Sequence, residues 1–459
     1  MSLVSITFLF FLLPAALVCF YAVPKDKNAL RGAVLLAFSL LFVFLVQPKA
    51  LAAALVTCAV CFVCGAGISR GKTRAARRVW CLTGIILTVG ALCVYKYAAL
   101  FASLLGVTIT PPQAPAGISF FTFLAVSYLV DTARGACPAE TSFARLALYF
   151  TAFSKFLQGP ITRFGALQAD LAPARPALAD AARGAERICI GLGKKLLLAT
   201  AAQGAAETLL DGAAVSCPAA WLGAACYALQ IYFDFSGYTD MAIGLGALFG
   251  LHLPENFNYP YCAQSITDFW RRWHMTLSLW FRDYIYIPLG GSRRGMARQL
   301  VNLLVVWALT GLWHGANWNF VLWGLYFAVL LMLEKFVLAR GLAKLPAALR
   351  HLYALVFILL GWVLFRTESL PQLALLLRTL FTGGAAVTAE PFLFVLRQYG
   401  PELLIGALLC APLGKGLLQA LERSRAGRVC KYILLLAVFA LALLALVRSG
   451  VNAFIYAQF

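Results

Sequence analysis

The stretch "WALTGLWHGANWNFVLW", residues 307–323, decides how this chain is read. It joins two apolar runs, 300–313 and 318–338, and sets one histidine, His314, among tryptophans and aliphatics. Crossing the hydrocarbon of a bilayer takes roughly 20 apolar residues, and both runs approach that length. An ionisable side chain at such a depth is a functional hypothesis by default. Neutral imidazole is the least costly titratable group there, because desolvation lowers its pKa and keeps it uncharged. The uncharged ring is a competent base for an alcohol or a thiol. The plain alternative is a hydrogen-bonded core histidine.

The surrounding chain has the same character. Of 459 residues, 62% are hydrophobic and 12% charged, against about a quarter charged in a soluble domain. Apolar runs alternate with short basic loops. Good spanning candidates are 3–23, 29–46, 50–69, 79–101, 218–235, 300–313, 318–338, 351–366, 396–412 and 430–447. Shorter or Gly/Pro-broken ones are 116–131, 143–157, 188–206 and 238–250. The expected fold is an all-α polytopic membrane protein with about 11–13 membrane segments, some re-entrant. Broken segments at membrane depth are tolerated only where they are buried or line a cavity. One transmembrane domain is therefore expected over 1–459, with N-terminal helices in 1–110, a working core in 115–340 and C-terminal helices in 350–459. Segment 3–23 has no basic n-region and reads as a retained first helix.

Lys plus Arg is 38 and Asp plus Glu is 18, a net +20. In a membrane protein this excess sits in loops, sets topology and meets anionic headgroups, so the expected partner is the lipid bilayer and not nucleic acid. The loops around Lys25, Lys27 and Arg31 and around Arg70–Arg78 are two crossings apart. Both are assigned to the cytoplasm, with the N-terminus and the tail "NAFIYAQF" outside. Most of the 13 cysteines lie in apolar runs and read as small hydrophobes. Cys58, Cys61 and Cys64 have no charged neighbour or fourth ligand, so no metal is expected.

Residues 268–291 read "DFWRRWHMTLSLWFRDYIYIPLGG". Taken as one helix, Trp270, Trp273, His274, Leu277, Trp280, Phe281 and Tyr284 make an aromatic face at a membrane interface, with Arg271, Ser278 and Arg282 on another. His274 reads either as a satisfied interfacial histidine or as a site residue. In "PLGGSRRG" (288–295), the glycines free the backbone, and Ser292, Arg293 and Arg294 can donate to phosphate. The plain reading is a basic loop. Asp234 and Asp240 sit in an aromatic apolar segment and need partners, an imidazole or an arginine. Lys155, Gln158 and Arg163 make a similar polar break, and Asp131 and Arg134 close another segment. No Walker loop, GxSxG elbow or HExxH is found.

"DFWRRWHMTLSLWFRDYIYIPLGGSRRG" followed by "GLWHGANWNFVLWGLYF" resembles the membrane-bound O-acyltransferase family, in its bacterial polysaccharide-acetylating branch. "GISFFTF", "QGPITRF", "YFDFSGYTDMAIGLGALFGLHLPENFNYPY" and "GWVLFRTESL" extend the likeness over most of the chain. The resemblance implies helices around a thin centre, entered by a funnel from each side. It matches the family's invariant histidine to His314 and its second position to His274. It implies acetyl-CoA as cytoplasmic acyl donor, with the thioester oriented or its carbonyl polarised by His274. Arg282, Arg293, Arg294 and Ser292 would hold the coenzyme phosphates, and Asp234, Tyr238, Trp313 and Asn317 would shape the substrate channel. It further implies an extracytoplasmic SGNH-type acetyltransferase subunit as partner and a polysaccharide as final acceptor. A D-alanyl transferase of teichoic-acid modification shares the FW-x-RWH and WHG signatures and stays open as an alternative. A transporter or a purely structural subunit stays open on physical grounds.

Overall fold

The computed structural model describes residues 1–110, 112–211, 216–383 and 390–449, and the tail "NAFIYAQF" with its expected side lies outside them. Every regular element among the described residues is helical. Eight helices are long and apolar enough to cross a membrane: Asn28–Val46, Pro48–Arg70, Arg74–Leu104, Met296–His314, Trp318–Leu342, Ala347–Arg366, Glu390–Leu409 and Arg425–Arg448. In hydrocarbon the backbone has no water to bond to, so each segment satisfies its own N–H and C=O groups as a helix.

Two compact units emerge: Met1–Ile188 with Tyr238–Glu255, and Cys189–Gly237 with Asn256–Gly450. In the first, the Ile118–Arg134 helix is buried on nearly every face, against the usual single apolar stripe of a surface helix. Cys58, Cys61 and Cys64 lie on the inner stripe of Pro48–Arg70 with Ala50, Ala54 and Ile68, which is a packing role. Arg31, expected in a headgroup-facing loop, is fully buried. Its guanidinium donates to the Pro24 carbonyl at 2.8 Å and the Pro173 carbonyl at 3.0 Å. It pins a loop where topology rules expect a free cation.

Two sequence expectations about breaks are corrected. Segments 218–235 and 238–250 form one continuous helix, Cys217–Leu248, because Ser236 and Gly237 lower helix propensity without removing a backbone bond. Conversely, 268–291 is not one helix. It divides into Ile266–Arg272 and Met275–Phe281, then a π-turn at Arg282–Tyr286.

In the second unit the Met296–His314 and Trp318–Leu333 helices pack as a hairpin whose backbones nearly touch. A Cβ on Gly311 would stand 2.1 Å from the Phe320 carbonyl oxygen, and one on Gly324 2.1 Å from that of Trp307. Small residues permit such approach in membranes, where packing and not water exclusion drives association. Gly324→Val is expected to destabilise the protein by about 2 kcal/mol or more, read as an earlier thermal aggregation midpoint in detergent. Gly341→Ala, with open space around it, should leave the midpoint unchanged. Equal midpoints for wild type and Gly324→Val would contradict this packing.

Candidate active site

The broken helix builds the site. Ser265 Oγ accepts from Asp268 N–H at 2.9 Å. The buried Glu334 carboxylate accepts from the N–H groups of Ile266 at 2.7 Å and Thr267 at 2.9 Å. These satisfy the open N–H groups of the first turn. At the other end Trp273 is extended and His274 is left-handed, with φ 42°. Such a conformation costs an L-residue with a Cβ of order 1 kcal/mol and persists only where the surroundings impose it. Here they do: Asn258 N–H bonds the Arg272 carbonyl at 2.9 Å and Met275 N–H the Asn256 carbonyl at 3.0 Å. The turn takes His274 off the expected aromatic face.

His274 is buried. Its Nδ1 lies 3.1 Å from Asn256 Oδ1, and Phe235 meets it edge-on at 4.8 Å. It lies outside the eight spanning helices, and burial without a compensating charge lowers its pKa from 6.5 to about 3. The ring is therefore neutral at physiological pH. His314 ends its spanning helix, buried among Trp313 at 4.7 Å, Trp323 at 5.0 Å and Phe365 at 5.1 Å. Trp313 lies between the two histidines, 5.9 Å from the His274 ring.

Both histidines line one cavity of about 250 Å³, with Trp270, Thr310, Arg282 and Arg271 also on its walls. A larger cavity of about 850 Å³ adjoins it and shares Thr267, Arg271, Tyr286, Leu303 and Leu331. Arg272, Lys335 and Arg350 add positive charge to the larger one, and Asp268 and Glu334 negative charge. Glu334 is committed to the helix cap described above, and Asp268 to Arg272 at 2.8 Å.

The other expected residues are placed less centrally. Arg282 is at the cavity and bonded to Asp283 at 2.7 Å. Ser292, Arg293 and Arg294 are exposed and belong to the walls of neither cavity. Asn317 is exposed at the start of Trp318–Leu333. Asp234 is buried and paired with Lys195, where the sequence suggested an imidazole or arginine. Tyr238 is buried in the first unit. Asp240 meets the expected kind of partner, Arg187 at 2.8 Å, which also holds Glu255 at 2.5 Å. Sequence reasoning missed Asn256, Tyr286 and Thr310, and read Arg271 as part of the polar face of an interfacial helix. Asn256 lies outside any helix, between Cys217–Leu248 and Ile266–Arg272, so no helical spacing could flag it.

The family model for the membrane-bound O-acyltransferase family, MBOAT, matches residues 132–370. The chain belongs to this family. It is 37% identical over 328 residues to a probable alginate O-acetylase AlgI of Azotobacter vinelandii, covering 69% of this chain and 66% of that one. It is 33% identical over 344 residues to a peptidoglycan O-acetyltransferase of Helicobacter pylori, covering 66% and 64%. It is 30% identical over 233 residues to a teichoic acid D-alanyltransferase of Bacillus subtilis, covering 48% and 58%. The matches span less than two thirds of the length of these relatives.

Two outcomes follow from the electrostatics. His274 has a folded-state pKa below its unfolded value, so the stability it contributes is present above about 6.5 and is lost as pH falls toward 3. A His274→Gln protein should lose less stability than wild type between pH 7 and pH 4 in urea titrations, and parallel losses would contradict a buried neutral ring. Asp234→Ala leaves the buried Lys195 cation without that carboxylate. It should cost about 3–5 kcal/mol of stability, seen as a collapse of folded yield. A stable Asp234→Ala protein defective only in turnover would instead restore Asp234 to the channel.

Proposed function

We propose that this protein transfers an acetyl group from cytoplasmic acetyl-CoA, across the bilayer, for O-acetylation of a polysaccharide. The observation that carries the reading is one cavity holding both histidines and opening beside a wider, cation-bearing one. That pair suits a donor with an anionic nucleotide end and a thin thioester arm. Arg271, Arg272, Lys335 and Arg350 would meet the phosphates, and Arg271 stands where the two cavities join. Arg293 and Arg294 would act only at long range. The arm would pass Tyr286 and Leu303 to reach His314.

Chemically, the acyl carbon–sulfur bond breaks and a carbon–oxygen bond forms. The acceptor hydroxyl loses its proton and the thiol leaving group gains one. A thioester is already reactive, so the site mainly has to position the groups, exclude water and manage that proton. His314, in its aromatic cage, takes the proton from the attacking hydroxyl. The protein would sit in a bacterial inner membrane with its N-terminus outside. An extracytoplasmic SGNH-type subunit would receive the acetyl group and pass it to the polymer. The likeness to the alginate and peptidoglycan proteins supports acetyl over D-alanyl, whose relative matches a shorter stretch at lower identity.

Proteoliposomes given radiolabelled acetyl-CoA, with and without the exported subunit, test this. His314→Ala should lower transfer by about 10²-fold or more in a normally folded protein. Near wild-type turnover in that variant, or solute flux without thioester cleavage, would overturn the reading. Arg271→Ala should raise KM for acetyl-CoA while leaving kcat nearly unchanged, the pattern of lost donor binding.

A further inference from the structure

We infer that Asn256 is a positioning residue: its side-chain carbonyl fixes the His274 ring as the Nδ1–H tautomer and leaves Nε2 as a bare hydrogen-bond acceptor.

Three groups converge on Asn256 Oδ1. They are Thr276 N–H at 3.2 Å, Thr276 Oγ1 at 2.9 Å and His274 Nδ1 at 3.1 Å. A backbone N–H can only donate, so the atom it meets is the amide oxygen and not the amide nitrogen. This settles which way the Asn256 amide points, an assignment that rests on such network logic. A ring nitrogen facing that oxygen must carry a proton to bond to it. A neutral imidazole has one proton to place, and whichever nitrogen the neighbour engages decides where it goes. Nε2 is then a lone pair. It is buried, and no group among the described residues bonds to it.

The backbone around the pair is held as tightly as the ring. The bonds from Asn258 to Arg272 and from Met275 to Asn256 lock the 256–258 segment against the left-handed turn at His274. Asn256 is 1% exposed and His274 2% exposed, so little of either reaches the protein surface. His274 is a wall of the histidine cavity, and Asn256 is not. The asparagine thus acts through the ring.

This inference rests on the acyl-transfer reading for its chemical meaning. An Nδ1–H ring has no N–H left to polarise a thioester carbonyl. Its Nε2 can only accept a hydrogen bond, from an O–H or N–H of the substrate in the cavity. His274 therefore aligns the proton-bearing partner, and carbonyl polarisation falls to another donor, such as the indole N–H of Trp270 on the same cavity wall.

The experiment is ¹⁵N NMR of the full chain in lipid bilayers with ¹⁵N-labelled histidine. The chain has four histidines, and His274 is assigned by the signals lost in His274→Gln. Wild type is expected to show His274 Nδ1 in the protonated, pyrrole-type range and Nε2 in the unprotonated, pyridine-type range. Asn256→Ala should exchange or mix the two, and Asn256→Asp, which keeps the acceptor oxygen, should restore the wild-type pattern. A protonated Nε2 in wild type overturns the proposal even if Asn256→Ala fails to fold. So does an unchanged tautomer in folded Asn256→Ala. If the tautomer exchanges in Asn256→Ala and acetyl transfer is untouched, the assignment stands and the catalytic reading of His274 falls.

Discussion

Much of the site depends on two helices whose backbones come into contact. Gly311 faces the Phe320 carbonyl and Gly324 that of Trp307, with no room for a methyl group at either. Lipid tails are as apolar as leucine, so apolar side chains alone give helices little reason to associate in a bilayer. Close packing supplies the reason here. It also sets the tight connection 315–317, which brings Trp323 against the His314 ring. The catalytic candidate is held by a contact that contains no chemistry.

The second constraint is the cost of charge at low dielectric. The buried carboxylates among the described residues are bonded: Asp234 to Lys195, Asp240 to Arg187, and Glu334 and Glu140 each to two backbone N–H groups. An imidazole stands at such a site more cheaply than a carboxylate or an ammonium, because it can shed its charge. Burial makes His274 a neutral ring, and its neighbours decide which nitrogen is available. Electrostatics chooses the residue type and hydrogen bonding its orientation.

The sequence was most legible where one dominant force acts along the chain. Apolar length marked seven of the eight spanning helices to within five residues at each end, and for Glu390–Leu409 it missed the first six residues. His314 was singled out because an ionisable group in an apolar run is anomalous on composition alone, and His274 through the family resemblance of the segment that carries it. It failed at the ends of helices and at loops. The reading of 268–291 as one amphipathic helix assumed a periodicity that the turn at His274 interrupts. The basic loop 292–294 looked like a phosphate cradle, yet it is exposed and away from both cavities, while Arg271 is on their shared wall. Cationic side chains are interchangeable in a sequence and differ only in where the fold puts them.

By itself, then, the sequence determined that this is an all-helical membrane protein of the O-acyltransferase family. Hydropathy, charge bias and residue type are properties of local segments, and a bilayer acts on segments one at a time. The tertiary structure alone decided that His274 and His314 share a cavity, that Asp234 answers to Lys195, and that Asn256 reaches His274. These contacts join residues separated by 40, 39 and 18 positions. Their geometry depends on side-chain directions that no pattern along the chain encodes.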